Sequence, residues 1–352
     1  MRNCKLSITI ALSCFLAASP AKAFWPVFDF AEIPAGIITQ VLTSAQNLSE
    51  MKSQISELTE NLRAIGDTCQ TISQFRKDLY MGDDTGDVAS ATGVAVDKTL
   101  ATSIVVQDKV ITAANGVNDA HKAIINKVVS QIEQEIKVAA VETPIKLAQN
   151  DIYTPYIEEN EEEIVDTNKE KENLQNFFAA VKKENQQLYV KMNDLFESSI
   201  SVMNDSADLN HQALSTLEQA IQKSEQKVNE NERKELQERT AALLNREQEN
   251  SDLGISLMES VQNKYSKQYQ EKIADNLSNY QKMVQAYLDG NVTAQELREA
   301  GTNLKAEVNA IDIFDDSNIF AQYNKENAEV HDSTSKLVED VKRVWAEDKD
   351  NS

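Results

Sequence analysis

Histidines, cysteines and clustered carboxylates are the side chains through which a chain like this could do acid–base, nucleophilic or metal chemistry. Here they are few or scattered. His121, His211 and His331 each stand alone, with no Cys or His at the spacing of a metal-ligand pair, and each reads as a surface residue. The acidic run Glu158 to Glu163 does not have the spacing of a helix–loop–helix calcium loop, so a solvated acidic turn fits it better. Asp289, Asn291 and Thr293 lack the glycine and the terminal bidentate Glu of such a loop; Thr293 and Glu296 instead have the spacing of a capping box at a helix start. The chain carries no phosphate-binding glycine loop, nucleophile elbow or zinc-protease pair. A wall-cleaving activity would need one Glu set apart as the acid, and none is. The expectation is a protein that is not an enzyme, with no catalytic residue, no cofactor and no metal.

The first 23 residues bear on location. Arg2 and Lys5 precede an apolar run from Leu6 to Ala18, and Ala21, Lys22 and Ala23 fit the small-x-small cleavage rule of a signal peptide. The run is short for a bilayer span, and no later stretch approaches the required length. A lipid-attached alternative would need Cys14, but Ala11, Leu12 and Ser13 match the attachment pattern poorly. The expected product is exported to the periplasm, a pilus or the cell surface, with no transmembrane segment after cleavage. Cys69 is then the one cysteine of the mature chain, read as a small hydrophobe on a helix seam, with a bridge between two copies as the alternative.

Charge narrows the partners. The net charge is −22, and losing Arg2, Lys5 and Lys22 with the leader takes it to about −25, a surface that repels nucleic acid and anionic lipid. Direct nucleic-acid binding is therefore not expected. The apolar fraction of 41% is enough for a folded core.

The elements that must position these residues are helices. Five prolines and nine glycines among 352 residues favour long ones. An aromatic lead of Phe24, Trp25, Val27, Phe28 and Phe30 comes first, closed off by Pro34 and Gly36. Five large apolar side chains so close together lie off the following heptad, which marks them as an assembly contact, with folding back onto the bundle as the alternative. The heptad has Val41, Leu48, Ile55 and Leu62 at position a and Ile37, Met51, Leu58 and Ile65 at position d, interrupted by Ser44. Its g positions, Gln40, Asn47, Gln54 and Asn61, are uncharged, so it is expected to dock within a bundle.

Residues 81–118 follow as an irregular appendage, since Met81 to Asp87 reads as a turn and Val88 to Val106 is rich in Ala, Val, Thr and Ser. A short helix over 119–150 should halt near Thr143 and Pro144. Residues 151–288 hold long helices around a charged hinge near 223–250. The first, Thr167 to Lys223, repeats Leu174, Val181, Leu188, Leu195, Val202 and Leu209 at seven; the next carries Val261, Tyr265, Tyr269, Ile273, Leu277 and Tyr280. Those tyrosines are read as core residues whose hydroxyls reach the rim. Residues 289–352 hold C-terminal helices and a polar tail. The fold class is all-α, an elongated helical bundle of long amphipathic helices with a small irregular appendage.

The beginning of the mature chain resembles the minor pilus subunits of type IV secretion systems, the VirB and TrbJ type of conjugal-transfer protein. The resemblance rests on Ala21-Lys22-Ala23, then Trp25-Pro26-Val27-Phe28-Asp29, then Ile38-Thr39-Gln40-Val41-Leu42 leading into a Gln-, Asn- and Leu-rich helix, about sixty residues in all. It implies a helical bundle with a small appendage that assists pilus assembly and cell contact. The implied partners are other secretion-apparatus or pilus subunits, with a homo-oligomer and a recipient or host cell surface as further candidates. Two other classes stay open: a secreted helical pore-forming toxin, for which Val88 to Val106 is the one candidate lipid segment, and a periplasmic holdase chaperone.

Overall fold

The computed structural model describes residues 50–67, 85–153, 167–224, 228–314 and 319–350. Of these 94% are helical and no strand occurs among them, which makes the fold all-α. The helices are α1 (50–67), α2 (Thr85–Tyr153), α3 (Thr167–Lys223), α4 (Glu230–Gln268), a π-helical segment Tyr269–Ala274, α5 (Asp275–Leu288), α6 (Ala294–Asn309) and α7 (Ala321–Asp350).

Side-chain pairs fix the topology. Thr92 donates to the Ala213 carbonyl at 3.2 Å, and His121 meets Asn185, so α2 and α3 run antiparallel. Asn193 near Ser266 and Lys182 on Gln281 set α4 and α5 antiparallel to α3. Lys305 on Glu133 and His331 on Asp97 lay α6 and α7 end to end along α2, as one descending column. The result is an up-down-up-down arrangement of four columns: α2, α3, α4 with α5, and α6 with α7.

The fifth element, α1, lies against α3 and parallel to it. Lys52 pairs with Glu184 and also donates to Gln187 at 2.6 Å, while Lys191 donates to Ser56 and Gly66 sits close to Val202 and Asp205. Ile55 and Leu62 are buried; Met51, Leu58 and Ile65 are partly buried and pack on the same core. Thr59 and Gly66 are also buried. The inward stripe is thus the a positions with the e positions, and d lies along its edge. A coiled-coil seam centres between a and d because it meets one partner helix; α1 meets α3 on one side and α2 on the other, and its stripe turns toward that groove. Ile37, Val41, Leu48, Cys69 and the aromatic lead lie outside the described residues.

Three expectations need correction. Residues 85–118 are no irregular appendage; they are the first half of α2, and 119–150 is its continuation. Small side chains such as Ala89 and Ala95 let α2 approach its neighbours closely, and the hydroxyls that suggested irregularity are satisfied within the helix. Thr92, Thr99 and Ser103 donate to the carbonyls of Val88, Val96 and Thr99 at 2.9–3.0 Å. Nor does the helix halt at Pro144: it runs on to Tyr153. Proline removes one hydrogen bond and disfavours the residue before it, a local penalty that long helix on both sides outweighs. The charged hinge is also shorter than expected, because α4 begins at Glu230 behind the cap residue Asn229, whose side chain accepts from the Asn231 amide.

The core has two large apolar clusters. One runs from Val106 to Ile132 on α2 and takes in Phe178 to Met203, Met258 to Val284 and the buried residues of α6. The other, at the far end, gathers Val88, Leu214, Leu217, Ile221, Leu236, Leu243, Leu337, Val341 and Trp345.

Candidate functional site

The chemistry-bearing side chains that the fold buries lie at two levels of the bundle. At the first, α2 presents His121 on the stripe of Val117, Ile124 and Val128, and α3 presents Asn185 on the stripe of Phe178 and Met192. His121 Nδ1 is 2.7 Å from Asn185 Oδ1 and Nε2 is 3.2 Å from the Tyr265 hydroxyl. Asn185 donates its amide to the Val181 carbonyl at 2.9 Å, so its oxygen accepts the Nδ1 proton and Nε2 accepts from Tyr265. That arrangement satisfies a neutral imidazole at both nitrogens. Burial lowers its pKa to about 4, partly offset by the Asn185 hydrogen bond.

Aromatic rings close the surroundings. Tyr189 stacks on Tyr269 at 4.2 Å and on Tyr265 at 5.7 Å, and Phe196 tilts against Tyr265. Burial raises the pKa of Tyr265 well above its ordinary value and that of Tyr269 to about 12. The π segment has a geometric cause. Val261, Tyr265, Tyr269, Ile273 and Leu277 follow at successive steps of four, and in an α-helix each such step drifts by about 40° around the axis. The wider π turn takes back part of that drift and keeps all five facing inward, each with at most 5% of its surface exposed.

The second level separates the two apolar clusters. Here the inward positions are Thr99, Ser103 and Gln107 of α2, Ser206 and Asn210 of α3, and Glu247 and Asn250 of α4, all buried. The Thr99 hydroxyl lies 2.6 Å from the Asn210 side-chain oxygen, Ser251 donates to one Glu247 oxygen at 2.8 Å, and Asn210 lies beside the same carboxyl group. Tyr323 of α7 closes the layer against Ser103, its ring so near Gly254 that a Cβ there would lie 2.5 Å away. Burial pushes the Glu247 carboxyl up to about 7, with its neighbours Ser251 and Asn210 pulling the other way.

No protein-family model, curated protein or solved structure matches this chain.

The histidines expected at the surface divide. His211 is exposed, His331 is partly exposed and bonds Asp97 at 2.6 Å, and His121 is buried, a correction to the surface reading. Isolation in sequence says nothing about facing: His121 falls at i+4 from Val117 and i−3 from Ile124, and that register was the available signal. The tyrosines are core residues as expected, but only Tyr269 reaches toward the rim, at Gln186. The Tyr265 hydroxyl turns inward to His121, and the Tyr280 hydroxyl is buried without a hydrogen bond. Asn185, Asn210, Glu247 and Gly254 went unread because polar residues interrupt the apolar count. Yet Leu236, Thr240, Leu243, Glu247, Asn250 and Gly254 alternate in steps of four and three, a helical stripe written partly in polar letters. Among the described residues no group of His, Cys, Asp or Glu is placed to hold a metal ion, and no helix is long and apolar enough to cross a membrane.

Proposed function

We propose that this chain is an exported, non-enzymatic structural protein that works by contact, a minor pilus or stalk-tip subunit of a type IV secretion apparatus assisting pilus assembly and cell contact. The observation that carries the reading is the order of features at the start of the chain: leader, aromatic Trp25-Pro26-Val27-Phe28-Asp29 lead, then the heptad. The bundle is compatible with a contact role, because its buried histidine is engaged at both nitrogens and its tyrosines are packed as core. The described part of the α1 stripe packs on the bundle core, as expected of a helix that docks within a bundle. Long α2 stands where such subunits carry their appendage, so the reading rests on the first sixty residues.

Deleting the gene in its native host and measuring conjugal DNA or effector transfer tests the role, together with N-terminal sequencing of the exported product. The expected results are loss of transfer, restored by the intact gene, and a chain beginning at Phe24. Normal transfer in the deletion strain overturns the secretion role, and an unprocessed chain retained in the cytoplasm overturns export.

A further inference from the structure

We propose that Glu247 is built into the polar layer as a neutral acid, and that its ionisation loosens the end of the bundle formed by the N-terminal part of α2, the C-terminal part of α3, the N-terminal part of α4 and α7. Geometry carries the first half. Glu247 is 4% exposed; one of its oxygens accepts from Ser251, and the other is buried with no hydrogen-bond partner. One turn along α4, the Asn250 side-chain oxygen is likewise buried and without a partner. The Gln107 and Asn327 side-chain nitrogens of the same layer are also buried without a partner, so it is the burial of Glu247 without a counter-charge that argues for the neutral form.

Among the described residues no cation is paired with Glu247. The polar groups beside Glu247, Ser251 and Asn210, are neutral, and the charges that act on it most, Asp252 and Asp208, are acidic. Its α4 neighbour Arg246 is engaged with Glu326 at 2.8 Å and Glu329 at 2.5 Å, and Arg239 with Asp340. Facing from α2 are Thr99, Ser103 and Gln107, with Asp97 held by His331 nearby; from α7 come Tyr323, Glu326 and Asn327. A buried carboxylate without a counter-charge is costly, so the group keeps its proton or the structure around it opens.

The second half follows from position. The layer interrupts the apolar core, and beyond it the far cluster is held by side chains from all four columns, Val88, Leu217, Leu243 and Leu337 among them. Glu247 gains water only if that end parts. Its folded value near 7, against the ordinary 4.5, means that closure is favoured while the group is protonated and weakens as pH rises. The inference is independent of the secretion role.

The test is amide hydrogen exchange on the full chain at about pH 5 and about pH 8, corrected for intrinsic exchange. In the wild type, opening of the far end should rise by about 70-fold over that range, while in Glu247→Gln it should stay nearly constant. No extra opening in the wild type, or an equal pH response in Glu247→Gln, overturns the proposal. Carbon-13 titration of the wild-type Glu247 carboxyl gives a reading that does not require the variant to fold: a midpoint near 7 supports the proposal, and one at the ordinary 4.5 overturns it.

Discussion

At the scale of single residues, two buried ionisable groups act on stability with opposite signs. His121 has its folded pKa lowered to about 4 from 6.5, so folding disfavours its charged form. Its neutral network is fully favourable above 6.5, and stability is lost as pH falls from 6.5 toward 4, by about 3 kcal/mol at the limit. Glu247, raised from 4.5 to about 7, favours folding below 4.5 and loses that contribution as pH climbs through 7. The two slopes nearly cancel between pH 4.5 and about 6.5, so the wild type should show a broad, flat stability maximum from these groups. Urea unfolding across pH should therefore reveal a rising limb in Glu247→Gln, where the His121 effect stands alone; a variant flat over that range would contradict the His121 assignment. Gly254 makes a steric prediction: its Cβ would meet the Tyr323 ring at 2.5 Å. Gly254→Ala should cost about 1–3 kcal/mol by prising α4 from α7, read as a lower urea midpoint. An unchanged midpoint would mean that the helices are not that close.

At the scale of elements, long and strongly periodic helices were legible and interrupted patterns were not. The α3 range and its stripe from Val181 to Leu209 could be read directly, because its apolar residues repeat at seven with few polar intrusions. The start of α6 was equally clear: Thr293 accepts from the Glu296 amide while the Glu296 carboxylate accepts from the Thr293 amide at 2.7 Å. Thr293→Ala should lower stability by about 1 kcal/mol, measurable as a reduced melting temperature, and an undiminished one would show that the cap does not limit α6. The first half of α2 was missed because Thr and Ser favour turns in isolation, whereas here tertiary packing holds them helical and their hydroxyls bond backward along the helix. The π segment was hidden for a different reason. Steps of four look like an ordinary helical face, and only their unbroken succession signals that the helix must widen.

At the scale of the whole molecule, the bundle is four antiparallel columns with α1 laid into the groove between α2 and α3. Leu62 is 1% exposed in that groove, so Leu62→Asp should bury an unpaired charge and cost several kcal/mol, unfolding the chain well below the wild-type temperature. An unchanged melting temperature would detach α1 from the core. The central claim is the proposal that the aromatic lead, which lies outside the described residues, contacts other subunits. The most direct measurement is a Trp25→Ala, Phe28→Ala double variant, assayed for thermal stability as purified protein and for DNA or effector transfer in the native host. An unchanged melting temperature with transfer lost is the predicted result. A lowered melting temperature would place the lead on the bundle as a cap, and wild-type transfer would contradict the assembly contact.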